Sequence, residues 1–263
     1  MPVADLVNFW NCLDLQNPPF AHPDDLPVLR STKKGRLIDE ESKTTYRDFV
    51  EGARFGDSSD RRLELSLLPV PYAGDLKKAD IIILLLNPGL GASDYWGEFS
   101  VPAYRERIEK TLRQDLSGAE YPFCYLDPEI CWSGGFRYWE KKFHPLLSII
   151  AKEKFNGRYL DALRHFSTRL ATVELVPYHS PTFDAHSLVE KLPSVKQIQR
   201  FVRENLLPDV GAGKKSLIVT RRAKDWGMPV SPHVIVYQGW ETRGANFGPT
   251  SSGGRAILKR YGI

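Results

Sequence analysis

The segment ADIIILLLNPG, residues 79–89, constrains the fold more than any other part of this chain. Six consecutive apolar residues, 81–86, run straight into Asn87-Pro88-Gly89. A short, unbroken apolar run rich in β-branched side chains reads as a strand buried on both faces, as parallel-sheet strands are. Three further runs follow: 171–176 before Pro177, SLIVT at 216–220 and HVIVY at 233–237. Helix-like patterns lie near 102–116, 140–153, 158–169, 185–205 and 252–261. Strands alternating with helices predict an α/β fold, a three-layer sandwich with a central, mostly parallel sheet of four to five strands and helices on both faces. In such sheets ligand sites form at the carboxyl ends of the strands. Attention therefore falls on the loops that follow Leu86, Val176, Thr220 and Tyr237.

The first 68 residues are polar and broken by Pro18, Pro19, Pro23 and Pro27. They read as helical pieces near 3–14 and 43–54, a cap packed on an α/β domain spanning 69–263. Internal repeats and low-complexity tracts are absent. At 263 residues and 42% hydrophobic, the chain can bury one large core. No stretch approaches the ~18 consecutive apolar residues of a membrane span. The N-terminus carries Asp5 and no basic segment, unlike a signal peptide. A cytoplasmic monomer that does not enter membranes is the expectation. Cys12, Cys124 and Cys131 form no CxxC pair and no zinc-like Cys/His spacing, so free thiols are expected, with no metal and no cofactor.

The net charge of +4 is unevenly placed. Residues 211–263 hold nine Lys/Arg against two Asp/Glu, and the rest of the chain 27 against 30. A basic C-terminal fifth suits docked phosphates, and equally a solvated charged face. The run GAGKKS at 211–216 is no phosphate-binding P-loop, because its glycine spacing fails and it precedes its strand instead of following one.

Each strand-end loop carries its own chemistry. Pro88 stiffens the first turn, and Gly89 lets a ligand approach the backbone. The Asn87 amide can accept a proton from water through its carbonyl while its NH₂ holds a substrate edge. A plain β-turn would use the same tripeptide. The third loop, TRRAKDWG, places Arg221, Arg222 and Lys224 where phosphates are bound. The fourth, GWETRGANFGPTSSGG, is rich in glycine and hydroxyl residues ahead of a terminal helix whose N-terminus can hold phosphate.

An apolar strand entering Asn-Pro-Gly, with an aromatic about a dozen residues on, resembles the uracil-DNA glycosylase superfamily and its mismatch-specific branch in particular. Here LLLNPGLGASDYWGEF sets Phe99 twelve residues after Asn87. The resemblance covers about 69–260, is specific at 79–99 and is weaker beyond. It implies that Asn87 positions the attacking water and that Phe99 stacks on an extruded base, with Tyr95 as a competitor and core packing as the alternative for Phe99. It also implies DNA as partner and a monofunctional glycosylase that leaves an abasic site, since no lysine is placed as a Schiff-base nucleophile.

Where the family has a base-pairing Asn, this chain has Glu174. A carboxylate only accepts, which suits the N4 amino group of cytosine better than uracil, unless Glu174 pairs with an arginine instead. His179 can assist water activation, hold a phosphate, or be structural. In the fourth loop the resemblance implies a DNA grip from Arg243, Asn246, Thr250, Ser251 and Arg255, with Phe247 as a wedge. The stretch 121–140, with its cluster of aromatics, reads as a lid or base-accommodating wall, or as a loop over the core. Excision of a modified cytosine would serve repair, or defence against modified foreign DNA. Two other readings are a non-catalytic reader of nucleic acid on the same fold and a nucleotide-cofactor enzyme. The latter lacks the expected GxGxxG.

Overall fold

Ile81–Leu85 forms β4 at the centre of a five-stranded sheet, and Ile81 through Leu84 are fully buried. The computed structural model describes residues 1–31, 37–39, 43–229, 231–242 and 244–263. The sheet order is β3 (Tyr72–Ala73), β5 (Leu170–Glu174), β4, β6 (Ser216–Val219) and β7 (Val234–Val236). Ile81 pairs with Ser216 and Leu84 with Val219, and Val219 pairs in turn with Val236, all in parallel. Parallel pairing buries both strand faces, which is why these segments are unbroken apolar runs. Helices surround this mostly parallel sheet, and the architecture is α/β, fitting a three-layer sandwich. The sequence did not reveal β3, which is only two residues long.

Packing divides the chain into two compact units. The first comprises 1–72, 86–115 and 174–202. Its helices are α1 (Val3–Trp10), α2 (Leu26–Arg30), α3 (Tyr46–Glu51), α4 (Ala92–Ser100), α5 (Pro102–Arg113) and α8 (Pro193–Phe201). A short parallel pair, β1 (Ile38–Asp39) with β2 (Leu63–Glu64), lies in the same unit. The sequence gives α4 no sign of being a helix, because glycines punctuate 89–97. Gly91 instead serves as its N-cap position, with its N–H donated to Asp94 at 2.7 Å. Gly97 lets α4 press on α5: a Cβ there would lie 2.6 Å from the Tyr104 ring. Helix packing, and not a turn, demands that glycine.

The second unit comprises 73–85, 116–173 and 203–263, and so contains the sheet apart from Tyr72 and Glu174. Its helices are α6 (Gly134–Lys154), α7 (Tyr159–Arg169), α9 (Leu207–Gly211), α10 (Ala223–Trp226) and α11 (Ser252–Arg260). Ile83 and Ile218 of the sheet share one core with Phe123, Trp139, Phe143, Phe166 and Phe247. Helix α6 begins earlier than its apolar periodicity indicates, because the Ser133 hydroxyl caps it by accepting from the Phe136 N–H at 3.1 Å. The stretch 121–140 is therefore mostly two short 3₁₀ turns, Cys124–Leu126 and Pro128–Ile130, and the first turns of α6. Phe123 and Trp139 are core residues, and Tyr138 is exposed. Among the described residues no helix is long and apolar enough to cross a membrane.

Candidate active site

Two loops leave neighbouring strands and bind each other. After β4, Leu86 accepts from the Val176 N–H at 2.9 Å, and Pro88 accepts from the Ser180 N–H at 3.3 Å. Between these two anchors stands Asn87, half-buried. Its Nδ2 donates to the Pro88 carbonyl at 2.9 Å, the Ser180 hydroxyl at 2.9 Å and the Tyr178 carbonyl at 3.3 Å. Two of those partners are carbonyls, which only accept, so the atom facing them must be the NH₂. The amide orientation is thereby fixed, and Oδ1 has no hydrogen-bond partner among the described residues. This differs from the expectation that the NH₂ would hold a substrate edge, because its donors are spent inside the protein. What the side chain offers outward is an acceptor.

Gly89 follows, exposed, and a Cβ built on it would meet nothing within 4 Å. No packing requires the glycine, so the space beside it is open to a ligand.

His179 is 5% exposed and engaged at both ring nitrogens. Nδ1 lies 2.7 Å from the Gly89 carbonyl and Nε2 lies 3.2 Å from the Leu68 carbonyl. Its own carbonyl accepts from the Glu64 N–H at 2.8 Å. The reading of His179 as a water-activating base does not fit this geometry, since neither nitrogen is presented to a water. It ties the Asn87 loop to the Leu68 backbone.

Two acidic groups back this loop. Asp94 accepts from the Gly91 N–H at 2.7 Å. Desolvation pushes its carboxyl up from the ordinary range, opposed by the His179 ring, the Gly91 N–H and the Tyr104 hydroxyl. Glu98 sits one turn further along α4, 5% exposed, and accepts from the Leu68 N–H at 3.0 Å. Burial pushes it up to about 8, against the Leu68 N–H and the Arg105 guanidinium at 3.6 Å. Both shifts favour the neutral acid, as burial does for any carboxyl not fully compensated.

Of the aromatics on α4, Tyr95 is only 1% exposed. Phe49 stacks on it at 3.7 Å, Phe99 lies at 6.1 Å, and its hydroxyl donates to Glu64. Glu64 and Asp39 also hold the buried Lys43 amine, each at 2.9 Å. Tyr95 is committed to this interior network and presents no face to a base. Phe99, half-buried, is the ring of the two that reaches the surface. Glu174 is the last residue of β5 and is 6% exposed, and its N–H donates to the Pro71 carbonyl at 2.9 Å.

The expected DNA-gripping residues belong to the second unit. Arg221 and Lys224 are exposed after β6, while the exposed Arg222 is paired with Asp225. Phe247 is a correction: at 1% exposure, packed 5.0 Å from Phe143 and 5.7 Å from Tyr237, it is core and cannot act as a wedge. Ser251 is another. It is fully buried and caps α11, accepting from the Gly254 N–H at 2.9 Å and donating to the Gly248 carbonyl at 2.8 Å. Asn246 closes its own turn by accepting from the Gly248 N–H at 2.7 Å. Thr250 and Arg255 are exposed, the Arg255 guanidinium donating to the Thr250 carbonyl. Arg243 lies outside the described residues.

Ser180 and Tyr178 are site residues that the sequence did not single out. Their sole signal was proximity to His179, since a serine and a backbone carbonyl carry no motif of their own. Among the described residues no group of three His, Cys, Asp or Glu side chains is placed to hold a metal ion. Compared with known proteins, the chain matches no family model, no curated protein and no solved structure.

Proposed function

We propose that this protein is a monofunctional DNA glycosylase that hydrolyses the N-glycosidic bond of an extruded pyrimidine, Asn87 positioning the water. The observation that carries the reading is the Asn87 amide. Its NH₂ is pinned by three acceptors, which leaves Oδ1 as a fixed acceptor with no partner among the described residues, in a loop whose Gly89 is exposed and unpacked. A preorganised acceptor costs no reorganisation when the sugar develops oxocarbenium character and the water must be held against it. Phe99 supplies a ring for the extruded base. Base extrusion costs a few kcal/mol of unstacking, least for a modified or mismatched base.

The chemistry then proceeds without a strong base. Water held by Asn87 adds to the anomeric carbon as the glycosidic bond breaks, and the base leaves with the bonding pair and gains a proton. An amide is a weak proton acceptor, so the leaving group must be good. A cytosine with an electron-withdrawing C5 substituent fits that need, and its N4 amino group suits the carboxylate of Glu174, an acceptor. Base release from oligonucleotides carrying uracil, mismatched thymine, cytosine and hypermodified cytosines, read as alkali-labile abasic sites, tests the reading.

A second reading has a specific observation in its favour. Both nitrogens of His179 are occupied, and Asp94 and Glu98 favour their neutral forms. A site so poor in bases suits a protein that binds a flipped base without excising it. Tight binding to a modified oligonucleotide with no abasic product would decide for that alternative.

A further inference from the structure

The exposed face of α6 carries Arg137, Tyr138, Lys141 and Lys142, at the three- and four-residue spacings that form one helical stripe. Tyr138 is 44% exposed, with the Lys142 amine 5.4 Å over its ring. That amine also donates to the Gly244 carbonyl in the loop after β7. The same loop carries Trp240, 57% exposed, the most exposed large apolar side chain among the described residues. Strands β6 and β7 are parallel neighbours, so the loops after them leave the same sheet end. The β6 loop adds Arg221, close enough that, after burial, its charge and that of Lys141 push the Lys142 amine below its ordinary range.

Arg137, Lys141, Lys142 and Arg221 have no ion-pair partner among the described residues, whereas Arg164, Arg169 and Arg222 of the same unit are each paired with a carboxylate. The acids nearby are engaged elsewhere, Glu140 with His144 and Tyr159 and Glu241 with Ser252; like charges left unpaired repel one another, and the repulsion is relieved when a polyanion binds. The two exposed rings narrow the choice of polyanion. Bases in a duplex are already stacked on each other and offer no face to a protein ring, whereas bases of a single strand do.

We propose that this face of α6, with the loops after β6 and β7, binds single-stranded nucleic acid, its phosphates on Arg137, Lys141, Lys142 and Arg221 and its unpaired bases on Tyr138 and Trp240. The surface does not depend on excision at Asn87.

Fluorescence anisotropy with a labelled mixed-sequence oligonucleotide, single-stranded or annealed to its complement, tests it in the full chain. The single strand binds more tightly and quenches Trp240 emission. Trp240→Ala with Tyr138→Ala weakens it roughly tenfold, Trp240→Phe restores most of the loss, and duplex binding is little changed. Lys141→Ala with Arg221→Ala weakens both forms and lowers the salt slope. Equal or tighter duplex binding, ring substitutions without effect, or a polyglutamate peptide that competes regardless of the rings would each overturn the proposal. Since binding is read without turnover, loss of product with Asn87→Ala while this binding persists keeps the two questions apart.

Discussion

The Nδ2 of Asn87 lies 2.9 Å from the Ser180 hydroxyl, across the gap between the loops that follow two adjacent strands. Ser180 is 2% exposed, so the contact is protected from competing water. With the carbonyls of Pro88 and Tyr178 it turns a rotatable side chain into a fixed one. Ser180→Ala removes one acceptor of three and leaves the two carbonyls. The expected loss is about 1 kcal/mol, or roughly fivefold in the rate of base release, with DNA affinity unchanged. Single-turnover rates beside anisotropy check it, and a loss confined to affinity would contradict a positioning role.

His179 is expected to act through structure. His179→Ala removes the buried ring that lies against the Gly89 and Leu68 carbonyls, with the one N–H a neutral imidazole donates, and should cost about 1–3 kcal/mol of folding stability. Gln, which keeps a donor, should recover part of this. Urea denaturation measures the stability, and the pH–rate profile of His179→Gln decides the chemistry. A limb present in the wild type and missing in that variant would restore a general-base role.

Glu98 should make stability fall as pH rises. Its folded-state carboxyl is held at about 8, above its ordinary value of 4.5, so the folded chain binds a proton that the unfolded chain has lost. The contribution is fully present below the ordinary value and is lost as pH climbs through the raised one. Glu98→Gln keeps the acceptor for the Leu68 N–H without an ionisable group, and should flatten this part of the pH dependence. Urea midpoints of both proteins at about pH 5 and about pH 9 test it. Parallel changes in the two proteins would assign the dependence to other groups.

Phe247 separates core from DNA wedge. Phe247→Ala should cost about 3–5 kcal/mol of stability, because the ring fills space against Phe143, Trp139 and Tyr237. Near-wild-type stability with a selective loss of base extrusion, followed by 2-aminopurine fluorescence, would return it to the DNA surface.

The parallel sheet was legible because strands buried on both faces show as unbroken apolar runs, and residues 81–85 and 216–219 fall inside the segments expected. The helix at 92–100 was hidden because Gly97 breaks the pattern locally while serving the contact with Tyr104, which only the fold brings near. Ser251 and Phe247 read as ligand-facing because hydroxyl and aromatic residues among glycines suit both a phosphate grip and a helix cap over a core. The local sequence does not distinguish those uses. Asn87 stood out through the strand it follows, while the partners that orient it, Tyr178 and Ser180, come from a loop some ninety residues away.

In the proposed reaction the fixed Asn87 Oδ1 holds the attacking water. That role is tested most directly by single-turnover base release from a modified-cytosine duplex by wild-type protein and Asn87→Ala, with DNA affinity measured alongside. Asn87→Ala should lose release by at least about a hundredfold and keep affinity within roughly 1 kcal/mol, because the residue acts mainly on the transition state. Release at near-wild-type rate from Asn87→Ala, or no release from wild-type protein on any base tested, would contradict it.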